Sequence, residues 1–483
     1  SDGPAAAALA GGPLPALPVH ERTAVSDRGM VVTGSPHATE AGRRMLEAGG
    51  NAADAAVAAA FALAVAEPTQ SGLGGRTQVL LRRADGSVHA LDGITEFPAG
   101  YDPATAPRGE HGYAAVGIPG TVAALTRLLE DHGTLPLATV MEPARRWAAE
   151  GLVPEPAEAR RLATLVEELG PTSPVSRSFG GPGGEPLEPD ALLVQPELAA
   201  VLETIAAEGA EGFYRGAVAD RMARDMEAHG GFVTGEDLAG YRARDALPGR
   251  GSFRGHTVHG SYLPASGATV IEILQILDRL ELPGDEARWS AVVAEALLAG
   301  FEDREIGEGR PPAEAVAWLT SDSLADRRAA VIAGRLGVPL RPVAGAAGPG
   351  GGGGGGRDGV GGSPEEGPFP RRSALLPPPR AAAPRGEEPA FTTHVSVADG
   401  DGNAVALTQS LGPTGGARVV TPGLGFLYAS TMGGYLAGGG PGYRPWSSQA
   451  PLLVLRGGEP WLVLGGAGAR RILSALVATV TRM

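Results

Sequence analysis

The chain begins its ordered part with a readable alternation of apolar and polar runs, "GMVVTGSPHATEAGRRMLEAGGNAADAAVAAAFALAVAEPTQSG". Met30 to Thr33 is a short apolar run and is predicted to be a strand. Ser35-Pro36 is a helix-start signal, and the helix it opens runs to Ala48, where Gly49-Gly50 stop it. Asn51 caps the next helix, with Asp54 placed where a carboxylate meets the exposed first-turn amides. That helix is almost wholly Ala, Val, Leu and Phe, so burial on every side is predicted. Pro68 ends it.

"SGLGGRTQVLLRRADGSVHALDG" reads as a glycine loop followed by a hairpin that turns at Asp85-Gly86. Residues 120–340 are mainly helical in pattern, with helices predicted near Val122–Leu129, Leu137–Glu150 and Pro196–Ala207. Thr234 to Asp237 is a further capped start, and a strand pair around Phe253–Tyr262 interrupts the helices. From Arg341 to Ala390 the texture changes: seven glycines, Gly350 to Gly356, precede three prolines, Pro377 to Pro379. Such a stretch buries too little apolar surface to offset its ordering entropy, so a flexible insert is expected. Order resumes at Thr392 with "HVSVAD", a turn from Asp399 to Asn403, and "AVALTQS". Strands are predicted at "GFLYAS", "APLLVLR" and "PWLVLGG", and a last helix near Arg471. The expected class is α+β, sheets packed with helical layers.

Composition narrows the chemistry. With 483 residues, 43% of them hydrophobic, the chain can build a sizeable core. It has no cysteine, which excludes disulfides, thiolate zinc sites and a cysteine nucleophile within it. All 40 basic residues are arginine, which points to a very GC-rich genome and excludes a catalytic lysine. A net charge of −14 without basic clusters argues against a nucleic-acid partner. No run of 18 apolar residues marks a membrane span, and the first twenty residues lack a signal-peptide pattern, so a cytoplasmic location is expected over secretion. The nine histidines form no closely spaced ligand pair, "GLGG" at Gly72 to Gly75 is too weak for a nucleotide loop, and no metal or cofactor is expected. Asp54 and Asp92 read as solitary caps or turn residues.

An unfoldable stretch leading into a strand whose first residue is Thr392 raises one chemical reading beyond a plain domain boundary. Cutting the chain before a threonine frees an α-amine that titrates near ~8 and can take the proton of the adjacent, otherwise weak hydroxyl nucleophile. The alternative is a β-branched strand former and nothing more. Here the sequence resembles the γ-glutamyltransferases, N-terminal nucleophile hydrolases. "TTHVSVADGDGNAVALTQSLG" is similar to the start of their small subunit. "SPHATEAGRRMLEAGGNAADAAVAAAFALAVAEPTQSGLGG", "VGIPGTVAALTRLLEDHGTLPL", "FYRGAVADRMARDMEAHGGFVTGEDLAGYRA", "FRGHTVHGSYLPASGATVIEILQIL" and "YRPWSSQAPLLVLRGGEPWLVLGGAGARRI" follow the family in order, over about residues 28 to 478 apart from the insert.

The resemblance implies a four-layer αββα sandwich and a precursor that cuts itself between Phe391 and Thr392. It implies a flexible segment 1–27, a large-subunit region 28–340, an insert 341–391 ending at the cut, and a small-subunit region 392–483. Thr392 would be the nucleophile and Ser410 the second hydroxyl beside it, where the family has threonine. Backbone N–H groups of Gly468 and Ala469, in the loop Gly465 to Ala469, would form the oxyanion hole. The partners implied are a small-molecule substrate and the chain's own two subunits.

The head-group grip of the family is replaced. Its arginine for the substrate α-carboxylate falls on Ile94; its ammonium-binding positions fall on Gly412, Thr431 and Gly434; only Ser447 and Ser448 of "RPWSSQ" remain. Losing a bidentate arginine costs on the order of 2–5 kcal/mol, and losing the ammonium partners costs a similar amount. Together this is about a thousandfold or more in affinity. The sequence therefore leads to a self-processing threonine hydrolase acting on a non-glutamyl intermediate. The candidate is the branch of 4-alkylproline antibiotic pathways that hydrolyses a carbon–carbon bond beside a ketone. Two alternatives stand beside it: an ordinary γ-glutamyl hydrolase or transpeptidase, and a non-catalytic homologue serving as a scaffold. Retention of Thr392, Thr393, His394 and Ser410 speaks against the scaffold. The small-subunit region is about half the length usual in the family, as expected of a fragment or a shortened variant.

Overall fold

The computed structural model describes residues 23–107, 109–262, 264–341, 392–433 and 439–483. The insert beyond Arg341, Phe391 and Gly434 lie outside the described residues.

Strand β1 (Gly29–Thr33) leads into helix α1 (Pro36–Glu47) and then α2 (Ala52–Ala66). Asn51 and Asp54 close a capping box: Asn51 Oδ1 accepts the Ala53 N–H at 2.8 Å, and Asp54 Oδ2 accepts the Asn51 N–H at 2.8 Å. The Asp54 carboxylate also takes the amides of Thr134 and Leu135, so one side chain fixes two helix junctions. All 15 residues of α2 are buried. Its all-apolar surface requires this, and Phe61 alone contributes roughly 2–3 kcal/mol by leaving water.

Two antiparallel sheets form the middle. The first has the order β1-β7-β8-β2-β3-β4, with β2 Arg76–Arg82, β3 Val88–Gly93, β4 Arg244–Asp245, β7 Thr392–Asp399 and β8 Ala404–Ser410. The second has the order β10-β9-β6-β5, with β5 Leu247–Phe253, β6 His256–Tyr262, β9 Leu452–Arg456 and β10 Glu459–Leu464. Strands from both sides of the insert enter each sheet, β7 and β8 at the centre of the first. The regions before and after Thr392 therefore share one core.

Period-two alternation sorts the side chains. Val79, Leu81, Val395, Val397 and Leu407 face α2 and its neighbours α3 (Thr121–His132) and α4 (Leu137–Glu150). Leu80, Ala90, Ala404, Ala406, Leu453 and Val463 fill the space between the sheets. Three of these six are alanine, which lets the sheets approach closely. On the far side, Val258, Leu452 and Val454 pack against the helices Gly267–Asp278, Glu286–Glu308, Asp322–Leu336 and Arg471–Thr481. The layers run helix, sheet, sheet, helix.

One predicted strand is absent. "GFLYAS" is extended but makes only isolated bridges, Gly74 with Tyr428, Val116 with Ser430 and Val420 with Leu427. Its neighbours are loops rather than strands, and Gly423 and Gly425 at positive φ bend the chain before it. Its residues are nonetheless buried, which is why the apolar run looked like a strand.

Candidate active site

Thr392 opens β7 and pairs across the sheet with Ser410 of β8, which in turn pairs with Arg76 of β2. Paired residues project from the same face, so the three side chains form one row facing the second sheet. All three are buried. The Thr392 hydroxyl donates to Ser410 Oγ at 3.2 Å, and Ser410 Oγ accepts the Gly412 N–H at 2.9 Å. Gly412 has φ +92°, a torsion that favours glycine and turns its amide back onto Ser410.

The next row holds His394, Thr408, Gln78 and Asp92. His394 Nδ1 lies 2.8 Å from Thr408 Oγ1 and Nε2 lies 3.1 Å from Ser396 Oγ, whose hydroxyl donates to the Val463 carbonyl. Both ring nitrogens are engaged, so neither is left to deprotonate Thr392. Burial pushes the imidazole down to about 3 and keeps it neutral. Gly465 packs on this ring: a Cβ there would sit 2.2 Å from it. The histidine is structural, and a base for Thr392 must come from elsewhere.

A cavity of about 380 Å³ opens at the start of β7. Thr392, Thr393, His394, Glu67, Gly465 and Ala467 are among its walls. The loop Gly465 to Ala469 joins β10 to the helix Arg471–Thr481, and its Arg471 and Ile472 amides donate back to the carbonyls of Gly468 and Ala469. Gly468 has φ +122° and Ala469 φ +54°. The alanine thus adopts a left-handed torsion that favours glycine, at a cost of roughly 1–2 kcal/mol. Gly465 and Ala467 reach the cavity with Thr392; Gly468 and Ala469 do not line it.

The head-group positions are not brought together around this cavity: Ile94, Gly412, Thr431, Ser447 and Ser448 do not line it. Ile94 is fully buried; its N–H donates to Asp92 Oδ1 at 2.9 Å and its carbonyl accepts the Tyr241 hydroxyl at 2.6 Å. The Thr431 hydroxyl donates to Thr95 at 2.9 Å, and the Thr431 side chain fills the space that a Cβ on Gly117 would need. Ser447 Oγ accepts the Gln449 amide at 3.1 Å, and Gln449 Nε2 donates to the Thr408 carbonyl at 3.0 Å. Ser448 is half-buried.

The structure corrects the reading of Asp92 as a solitary turn residue. It sits in β3, where Asp92 Oδ2 pairs with Arg444 Nη1 at 2.8 Å and Asp92 Oδ1 accepts from Gln78 Nε2 at 2.8 Å. Arg444 also pairs with Glu96 at 2.9 Å and lies 4.8 Å from the centre of the Tyr241 ring. Glu96 binds Arg244 at 2.7 Å. Arg444 is 352 residues from Asp92 and 348 from Glu96, so no spacing rule could find these pairs.

Two further residues escaped sequence reasoning. Arg76 follows a glycine loop and reads as ordinary strand polarity until the register sets it beside Ser410. Glu67 reads as the polar end of α2, whereas it is buried, with 5% exposure, in the wall of the Thr392 cavity. Burial, and then the nearby charge of Glu158, push the Glu67 carboxyl up to about 7. Among the described residues no group of three or more His, Asp or Glu could hold a metal ion, and no helix is long and apolar enough to cross a membrane.

A family model for gamma-glutamyltranspeptidase matches residues 38–483. The glutathione hydrolase proenzyme of Escherichia coli is 33% identical over 94% of this chain and 77% of its own length. An acylase proenzyme, ACY 1 of a Pseudomonas strain, is 34% identical over 95% of this chain and 80% of its own. The solved structure of LmbA2991T421A superposes with a TM-score of 0.75 at 26% identity, over 95% of this chain and 82% of that one.

Proposed function

Because the chain belongs to the gamma-glutamyltranspeptidase family and is an N-terminal nucleophile hydrolase of αββα fold, we propose that Thr392 is its nucleophile and that its substrate is a 2-oxo acid rather than a γ-glutamyl compound. The observation that carries this reading is a change of place of the buried cation. Where the sequence reading expects the family's carboxylate-binding arginine stands Ile94, while Arg76 stands in the nucleophile's own row, directly across from Ser410. In a γ-glutamyl amide the α-carboxylate lies three carbons from the carbonyl under attack. In a 2-oxo acid it is bonded to that carbonyl carbon. A guanidinium in the Thr392 row fits the second geometry and supplies a charge-assisted contact.

The steps follow from these parts. Self-cleavage between Phe391 and Thr392 frees the α-amine. The amine takes the hydroxyl proton as Thr392 Oγ1 adds to the ketone, and backbone amides of the Gly465 to Ala469 loop receive the oxyanion. Collapse of the adduct breaks the carbon–carbon bond. The electron pair leaves on a carbon conjugated with a C=N bond, which accepts it and becomes an enamine, and the leaving carbon then takes the proton from the α-ammonium. Oxalyl-Thr392 remains, and water hydrolyses the ester to oxalate. Comparable identity to a glutathione hydrolase and to an acylase leaves the donor to be read from the pocket.

The test compares two donors on purified protein: a γ-glutamyl anilide, followed by absorbance, and a 2-oxo acid whose carbon 3 is conjugated with a C=N bond, followed by oxalate release. Oxalate is expected from the second, with anilide turnover lower by about a thousandfold or more. In Arg76→Met, kcat/KM for oxalate release is expected to fall by about a hundredfold or more, the loss of one buried charge-assisted pair. Robust anilide turnover, indifferent to Arg76→Met, would mean an ordinary γ-glutamyl enzyme.

A further inference from the structure

Glu67 and Thr393 lie on the other side of β7 from the hydroxyl row. Thr393 faces the helical layer by alternation, and its hydroxyl stands close enough to the Glu67 carboxyl at the end of α2 to draw that carboxyl's pKa down. The approach is tight at Gly34: a Cβ there would meet Glu67 Oε1 at 2.7 Å and Thr393 Oγ1 at 3.3 Å. Glu67 Oε2 is buried without a hydrogen-bond partner, while Glu67 lines the same cavity as Thr392. Behind it stands helix α5 (Pro156–Leu169). There Glu158, fully buried, accepts the Thr69 N–H and hydroxyl at 2.8 Å each and pairs with Arg161 at 2.7 Å. The charged groups acting on Glu67 are therefore Glu158, Arg161 and Glu155, and Arg161 is already committed to Glu158. A buried carboxyl with a spare oxygen, in the wall of the nucleophile's cavity, is an unusual thing to leave unused.

We infer that Glu67 is a positioning residue for the α-amine that self-cleavage creates on Thr392: its carboxylate holds the ammonium formed when that amine takes the hydroxyl proton. Oriented through Thr393, it plays the part an aspartate plays behind a catalytic histidine, stabilising the protonated base at the moment of attack. Burial holds the carboxyl up at about 7 in the uncut chain, and the ammonium beside it draws it down again, so the carboxylate is charged where the amine titrates.

The inference rests on Thr392 being freed as the nucleophile, and the test separates the two. The α-amine of Thr392 is titrated directly, by labelling the cleaved protein with acetic anhydride across pH 5–10 and weighing the small fragment by mass spectrometry. No substrate is needed. The wild-type amine is expected to titrate about one unit higher than that of Glu67→Gln, the effect of one nearby opposite charge. Thr393→Val, which removes the orienting hydroxyl, should move the amine in the same direction and serves if Glu67→Gln does not accumulate. Superimposable curves for the wild type and both variants would overturn the inference while leaving Thr392 as the nucleophile. Failure of the wild type to cleave at Thr392 would overturn the reading on which it rests.

Discussion

Thr392→Ala is expected to run as a single full-length band on a denaturing gel where the wild type gives two fragments meeting at residue 392, and to lose activity by about four orders of magnitude or more. The size follows from the site. Among the side chains at the start of β7, His394 is neutral and has both nitrogens engaged, and Ser410 is tied to the Gly412 amide. No second nucleophile stands ready, and removing the attacking atom of a unit that acts together costs nearly the whole of its catalysis. Thr392→Ser keeps the hydroxyl and should still cut itself. If Thr392→Ala still separates into two fragments, the cut is the work of another protease and the nucleophile assignment loses its main support.

The largest effect on stability is expected at Arg444. Arg444→Met leaves Asp92, 4% exposed, and the partly buried Glu96 without their shared cation. Breaking one partner out of a buried pair costs about 3–5 kcal/mol, because the remaining charge stays in a poor solvent. A drop in melting temperature on the order of 5–10 °C should follow. Pairing the change with Asp92→Asn should return part of the loss, since the two sites share one interaction. A melting curve within a degree of wild type would mean that water reaches this network and screens it.

Much of the fold was legible because it is local. The Asn51 and Asp54 box, the hairpin at Asp85-Gly86, the strand limits of "AVALTQS" and the start of the last helix at Arg471 are each set by residues within a few positions of one another. "GFLYAS" misled for the complementary reason. Its burial comes from loops distant in sequence, and burial without a paired strand gives the same apolar run. At the site, Thr392 and Ser410 were found because they lie in one hairpin, 18 residues apart. Arg76, Glu67 and Arg444 were missed because what makes each of them chemical is a neighbour contributed by another part of the chain.

The sequence by itself determined the family, the αββα class and the threonine that begins a strand, and it raised the expectation that the residues gripping a glutamyl head group are replaced. These are matters of residue identity, turn chemistry and short-range period, and need no third dimension. Only the tertiary structure decided which side chains share the face of the nucleophile. Strand register placed Arg76 in the Thr392 row, and the end of α2 brought Glu67 against Thr393. A charge acts through distance and through the solvent it is denied, and both are set by packing between segments that the sequence keeps far apart.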